Sequence, residues 1–318
     1  MIAQDNSILL IINYHYIRDP DQYPYPGIHP ITMEEFTEQV NWLRDRFYMA
    51  TPGEVEAFAT MNVRLPGPSI FLTFDDGLSE HEIIAREILR PLGIRGAFFI
   101  ASRPFLDHRA LMVHKIHWLR ANMHPDEFYH QFTGLLPQKF KDVKMDEESI
   151  EAALRTYIYD TRQDAMLKYL INFQLPSEIV DQVASEMLNL RRISENDFCN
   201  QLYMSESQIR ALAEDGHIIG SHGHTHRVFS NLERTVLEEE LRTNISYIEK
   251  IAGSRPRWIS YPYGTIQSVP DNIDAVCEKF GFSIGLLLDK DRKRWNTGDE
   301  SSYQMDRINS NHLKELCI

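Results

Sequence analysis

Residues Thr73-Phe74-Asp75-Asp76-Gly77 put two adjacent carboxylates and a glycine at the end of the apolar run Pro68-Ser69-Ile70-Phe71-Leu72. Neighbouring residues of a strand point to opposite faces. Both acids can therefore serve one site only where the strand breaks into a loop, and Gly77 permits that break. Two carboxylates held together repel unless a cation or a proton reaction uses them. The plainer reading of these residues is an Asp-Gly turn with solvated acids. A second cluster, Gly220-Ser221-His222-Gly223-His224-Thr225-His226, packs three histidines into five residues. Neutral imidazole is a common zinc ligand and mixes readily with carboxylate. His222 and His226 reach one metal if the segment turns, and His224 between them either supports the ligands or faces outward. Solvated histidines in a polar turn are the alternative. A third stretch, Ile259-Ser260-Tyr261-Pro262-Tyr263-Gly264, runs from an apolar segment into a Pro/Tyr/Gly turn, which an ordinary turn explains as well.

Each of these stretches follows an apolar run that reads as a buried strand. Ser7–Asn13 delivers Tyr14-His15-Tyr16, and Ser69–Phe74 delivers the two acids. Arg95–Ala101 is a further strand, and a short one leads from Asp215-Gly216 into the histidines. Arg257–Tyr261, Phe282–Leu287 and a final stretch around Met305–Asn309 complete the set. Helical spacing separates them. Thr32 caps a helix with Glu35 in a capping box and Phe36, Val40, Leu43 and Phe47 on one face. Glu80–Leu92, Leu232–Ala252 and Asn272–Phe280 are helices too. Strands alternating with helices imply parallel βαβ units. Active sites of parallel α/β barrels gather at the C-terminal ends of the strands, and that is where His15, Asp75, Asp76, His222, His226 and Tyr263 all fall. Residues 102–201 break the rhythm: helical periodicity (His114–Met123, Ile150–Tyr159, Asp164–Phe173, Ile179–Leu190) without a strand reads as a helical insertion into a single domain spanning 1–318.

With 43% hydrophobic and 25% charged residues, the 318-residue chain has a globular composition. Its net charge of −13 argues against binding a nucleic-acid backbone. Three cysteines, Cys199, Cys277 and Cys317, form no CxxC pair and read as reduced thiols. The first residues lack a basic, long apolar leader, and no run approaches the ~18 apolar residues of a membrane span. Together these imply a soluble, cytoplasmic protein with no transmembrane segment.

The order TFDDG, then HxxxH, then PYG resembles the polysaccharide deacetylase family, also known as the NodB-homology or carbohydrate esterase family 4 domain, over residues 5–101 and 202–312. The resemblance implies an α/β fold, a distorted (β/α) barrel of about seven parallel strands. It implies that Asp76, His222 and His226 hold a divalent metal, zinc before others, that Asp75 is the general base, and that the backbone N–H of Tyr263 helps bind the oxyanion. Many members carry an arginine where this chain has Ser260, and a late histidine as the catalytic acid. One branch, similar to exopolysaccharide de-N-acetylases, uses an N-terminal YH element instead, which Tyr14-His15 matches. On that likeness His15 is the acid, and Arg307, in a final strand, replaces the missing arginine beside Asp75. A core histidine at 15 and a surface arginine at 307 are the alternatives.

The reaction so implied is hydrolysis of an N-acetyl group on an amino sugar of a polysaccharide or its precursor, in surface-polysaccharide synthesis. The partner is an N-acetylated saccharide on which Tyr14, Tyr16, Trp118, Tyr261 or Tyr263 can stack, unless these rings are core. The insertion caps the site or forms a homo-oligomer interface. Hydrolysis of another non-peptide C–N bond, such as that of a cyclic ureide or imide, remains open. So do an inactive carbohydrate-binding role and an interaction role centred on the insertion.

Overall fold

The computed structural model describes residues 7–19, 30–141, 146–156, 161–289 and 295–316. Eight strands form one parallel sheet: β1 (Ile8–Tyr14), β2 (Tyr48–Met49), β3 (Pro68–Phe74), β4 (Ala97–Ile100), β5 (Ile218–Ser221), β6 (Trp258–Ser260), β7 (Ile284–Leu286) and β8 (Arg307–Asn309). Their order is β7-β6-β5-β4-β3-β1-β8, with β2 added beside β3. The ends of this row nearly meet. Met305 N–H donates to the Gly285 carbonyl (3.0 Å), and Leu287 N–H to Met305 (2.9 Å). Arg307 N–H donates to Leu287 (3.1 Å), so the seven-strand path curls into a nearly closed barrel. The wrapping helices start where the sequence signals them. Thr32, Thr51 and Ser205 each close a capping box, with Glu35, Glu54 and Gln208 respectively, an arrangement that contributes about 1 kcal/mol per cap.

The two-residue period of the strands sorts the core. On β1, Leu10, Ile12 and Tyr14 face the helices, where they join Phe36, Val40, Leu43, Ile248 and Ile251. Leu9 and Ile11 face inward, with Phe71 of β3, Ala97 and Phe99 of β4, Trp258 of β6, and Ile284 and Leu286 of β7. Burying each of the larger of these contributes roughly 1.5–3 kcal/mol. Continuing the inward series of β1, β3 and β6 gives Asn13, Thr73, Asp75 and Ser260, and β8 adds Arg307, all of them buried. The barrel floor is thus apolar, and the same faces turn polar toward the strands' C-terminal ends. On β5 the inward position is Gly220. A Cβ there would lie 2.4 Å from the Phe99 ring and 3.0 Å from the Trp258 carbonyl, so only glycine leaves Phe99 its place.

The chain divides into two compact units, one over His108–Cys199 and one built from the sequence flanking it. The first consists of helices among its described residues, including Met112–Ala121, Pro125–Leu135, Arg162–Tyr169 and Ser177–Leu190. It has its own core of Leu119, Phe128, Phe132, Val180, Val183 and Met187. Lys115, fully buried there, is neutralised by Asp181 at 2.6 Å and Glu195 at 3.3 Å. The end of the helix expected at 150–159 lies outside the described residues. The helix expected over 80–92 is α-helical only at Glu80–Ile84 and continues as a wider π-turn over Ala85–Leu89, which keeps Ile84, Ala85 and Leu89 all on the buried side. Among the described residues no helix is long and apolar enough to cross a membrane.

Candidate active site

The acid pair gains its geometry from a reversal of the backbone directly after β3. Asp75 extends the ladder, its N–H donating to the Tyr14 carbonyl at 3.0 Å. Asp76 and Gly77 then both take positive φ, 75° and 70°. Asp tolerates this left-handed region better than most residues. The break therefore begins at Asp76, one residue before the glycine expected to make it, and it turns the second carboxylate toward the side the first already faces. The loop is stitched down by Met204 N–H to the Gly77 carbonyl (3.0 Å) and Ser79 N–H to that of Leu202 (2.9 Å).

His222 occupies the inward position above Gly220 and is buried. Its Nδ1 lies 2.7 Å from the Ser260 carbonyl. A carbonyl only accepts, so Nδ1 carries the proton and Nε2 presents a lone pair. That Nε2 is 3.4 Å from Asp76 Oδ1, and His226 Nε2 is 3.5 Å from the same oxygen. One donor atom from each of the three residues lies within 4.8 Å of the others. Two imidazole nitrogens and a carboxylate oxygen, one histidine fixed in its tautomer by a backbone carbonyl, form a donor set suited to a divalent cation with positions left for water and substrate. His224 points elsewhere: Nδ1 meets Ser102 Oγ at 3.0 Å and Nε2 meets Asp107 at 3.2 Å.

Asp75 sits in a polar layer. Arg307 donates to both oxygens at 2.9 Å, Ser260 Oγ donates to Oδ2 at 3.0 Å, and Asn13 Nδ2 to Oδ2 at 3.1 Å. Burial alone would raise the carboxyl's pKa. The Arg307 guanidinium, followed by His222, overrides it and holds Asp75 at about 2. Arg307 is itself 1% exposed, which corrects the reading of a surface residue near the chain end. It enters from β8, where pairing sets it across from Ile11. Its remaining donors reach Asn13 Oδ1 (2.7 Å), Thr73 Oγ1 (3.3 Å), Ser260 Oγ (2.7 Å) and the Leu287 carbonyl (3.2 Å). Asn13, Thr73 and Ser260 escaped sequence reasoning, although extending the inward alternation of β1, β3 and β6 by one step finds all three.

His15 follows β1 at the same end, within the electrostatic reach of Asp76, Asp75, Arg307 and His222. Its pKa is lowered. Burial disfavours the imidazolium more than the two aspartates favour it. The segment is anchored by His81 Nε2 to the His15 carbonyl (2.8 Å) and by a buried Arg18–Glu80 pair at 2.6 Å. Tyr263 has φ 65°, and its ring centroid lies 5.2 Å from that of His226. Its turn is fixed by Gly264, where a Cβ would come within 2.6 Å of Leu288. Tyr14, Tyr16 and Tyr261 are core, and of these four tyrosines only Tyr263, 39% exposed, offers a ring face. Asp76, His226 and Tyr263 are three of the six described non-glycine residues at positive φ. Backbone strain of this kind gathers at functional sites.

Residues 178–285 match the family model described as polysaccharide deacetylase. A 116-residue segment is 27% identical to the uncharacterized protein YlxY of Bacillus subtilis, covering 36% of this chain and 35% of that protein. The chain thus spans about a third of that relative's length. Among solved structures, IcaB from Ammonifex degensii superposes with a TM-score of 0.56 at 16% identity, over 98% of this chain and 96% of that one. The Streptococcus pyogenes deacetylase PplD, in complex with acetate, gives 0.58 at 12% identity over 95% and 92%. The BpsB deacetylase domain from Bordetella bronchiseptica gives 0.54 at 16% identity over 96% and 97%. These structural likenesses establish a shared barrel fold.

Proposed function

We propose that the chain, whose residues 178–285 match the polysaccharide deacetylase family model, is a member of that family and a metal-dependent hydrolase removing N-acetyl groups from an amino sugar of a polysaccharide or its precursor. The observation that carries this is the convergence of Asp76, His222 and His226 beside the Arg307-clamped Asp75. Asp76, His222 and His226 would hold the ion, and zinc is our assignment. Bound there, a divalent cation supplies Lewis acidity at an acyl oxygen and lowers the pKa of an attacking water from near 16 to roughly 7.

The protein's own groups account for the proton traffic. A carboxylate has about four acceptor sites. Oδ2 of Asp75 takes three donors and Oδ1 takes one. Oδ1 therefore retains capacity, and it is the atom we assign to accept the water's proton. His15, within electrostatic reach of Asp75, is the proposed donor to the leaving amine. Its lowered pKa leaves the imidazole neutral at rest, so the proton it delivers would be the one Asp75 takes from the water and passes on, and the imidazolium once formed is the stronger acid for that shift. The backbone N–H of Tyr263 is the proposed oxyanion donor. Arg307 beside Asp75 supplies the positive charge that Ser260 lacks, which weighs against a purely carbohydrate-binding role. Sparse cysteines, with Cys277 buried, support a reducing compartment and a precursor-type substrate.

The test is acetate release from free, nucleotide-linked and oligomeric N-acetyl sugars by the zinc-loaded protein, with Asp75→Asn alongside. Release that the variant loses supports the proposal. No release from any of them, with metal bound, overturns it.

A further inference from the structure

The loop that carries His226 cannot hold its shape by local preference. Gly223 has φ 73°, and His226, which has a Cβ, has φ 60°, a conformation costing on the order of 1–3 kcal/mol. One face of the loop leans on the end of β4: Ser102 N–H donates to the Gly223 carbonyl (3.3 Å) and Arg103 N–H to that of His224 (3.0 Å). The other face is gripped by a single side chain, Glu240, from the helix Arg234–Ala252. Its Oε2 accepts the backbone N–H groups of His224 (3.0 Å) and Thr225 (2.7 Å). Its Oε1 accepts Thr225 Oγ1 (2.6 Å) and Arg227 Nη2 (3.0 Å). One helical turn later, buried Asn244 takes Ser221 Oγ (2.6 Å) and donates to the Ile100 carbonyl (2.9 Å). One helix face thus fixes the loop on both sides of His222.

Glu240 is 4% exposed, and its four donors are satisfied without its touching a proposed ligand. A buried carboxylate is costly unless it is paired and hydrogen-bonded; Arg227 pairs with this one, and the other three of its four donors belong to the two residues that lead into His226. We infer that Glu240 is a positioning residue that, through the 224–225 backbone, holds His226 at the distance from Asp76 and His222 that a divalent cation requires. The inference rests on the metal-site reading above. Glu240→Gln keeps the volume but replaces one acceptor oxygen with an amide donor, so either the backbone pair or the Thr225–Arg227 pair loses its partner.

The experiment is Co2+ titration of the full chain, read by visible absorption and chelator competition, with urea unfolding of the metal-free proteins alongside. Glu240→Gln is expected to bind Co2+ about 10–100-fold more weakly and to show shifted absorption bands at saturation. Wild-type affinity and bands overturn the inference. So does weaker binding with unchanged bands that merely follows a loss of metal-free stability, since that describes a structural tie. If Glu240→Gln does not fold, Thr225→Val removes one of the four donors: shifted bands support positioning, and unshifted bands overturn it. Wild-type protein that takes up no Co2+ or Zn2+ overturns the metal reading itself, a result distinct from a Glu240 variant that matches a metal-binding wild type.

Discussion

Replacing Arg307 with Met is the most direct test of how the polar layer is held. The guanidinium and the Asp75 carboxylate are 0% and 3% exposed and meet at 2.9 Å through two parallel bonds. Such a pair is worth little against an apolar substitute of equal volume, but breaking it from one side leaves a buried charge, which costs about 3–5 kcal/mol. The pKa gives a second measure. Asp75 is held at about 2 against an ordinary 3.8, a difference worth roughly 2 kcal/mol. Because the folded pKa is depressed, this stabilisation is present above the unfolded value and is lost as pH falls toward 2. In Arg307→Met burial dominates and Asp75 titrates above its unfolded value. Its contribution then reverses: it is favourable at low pH and is lost as pH rises through the raised pKa.

The assay is urea unfolding with chelator present, so that metal binding does not enter, from pH 7 down to pH 3, for wild type, Arg307→Met, Asp75→Asn and the double variant. Arg307→Met is expected to lose about 3–5 kcal/mol at pH 7 and much less near pH 3. The double variant should recover part of the loss, giving a coupling of about 2 kcal/mol. A coupling below about 1 kcal/mol, or an Arg307→Met deficit that does not shrink with acid, would refute the reasoning.

The site roles separate by metal content and turnover. Asp75→Asn should keep its zinc by elemental analysis and lose acetate release, whereas Asp76→Ala should lose both. His15→Ala should retain metal and lower kcat by about 10²–10⁴-fold, the range for a positioned proton donor; unchanged kcat would dismiss the acid assignment. Gly220→Ala drives a methyl into the Phe99 ring, 2.4 Å from its Cδ1 and Cε1. It should cost about 1–3 kcal/mol in thermal unfolding, and a wild-type melting curve would show that Phe99 has another place to go.

What the sequence disclosed, and what it hid, follows from range. TFDDG and HGHTH were legible because each packs unusual chemistry into a few residues after an apolar run, and their strands came within a residue or two of Pro68–Phe74 and Ile218–Ser221. The two-residue β2 at Tyr48–Met49 and the helix Pro52–Met61 carry too little periodicity to stand out. Glu240 was hidden for a different reason. The last of three consecutive glutamates (Glu238–Glu240) on a long amphipathic helix reads as solvated, and only the tertiary fold reveals that it is buried against the histidine loop.

Arg307 shows why a departure in a motif is weak evidence of lost chemistry. Ser260 lies on β6 and Arg307 on β8, strands far apart along the path β7-β6-β5-β4-β3-β1-β8 but brought together as the path curls toward closure. The interior has no sequence order: a guanidinium entering from either strand meets the same carboxylate. Ser260 is short enough to leave that space open, yet it still spans the site, donating to Asp75 with its hydroxyl while its carbonyl fixes the tautomer of His222. A second arginine at 260 would bury another cation beside a carboxylate whose charge Arg307 already balances, and a serine at both positions would leave the carboxylate uncompensated. With arginine at 307, a serine at 260 leaves the charge balance around Asp75 intact.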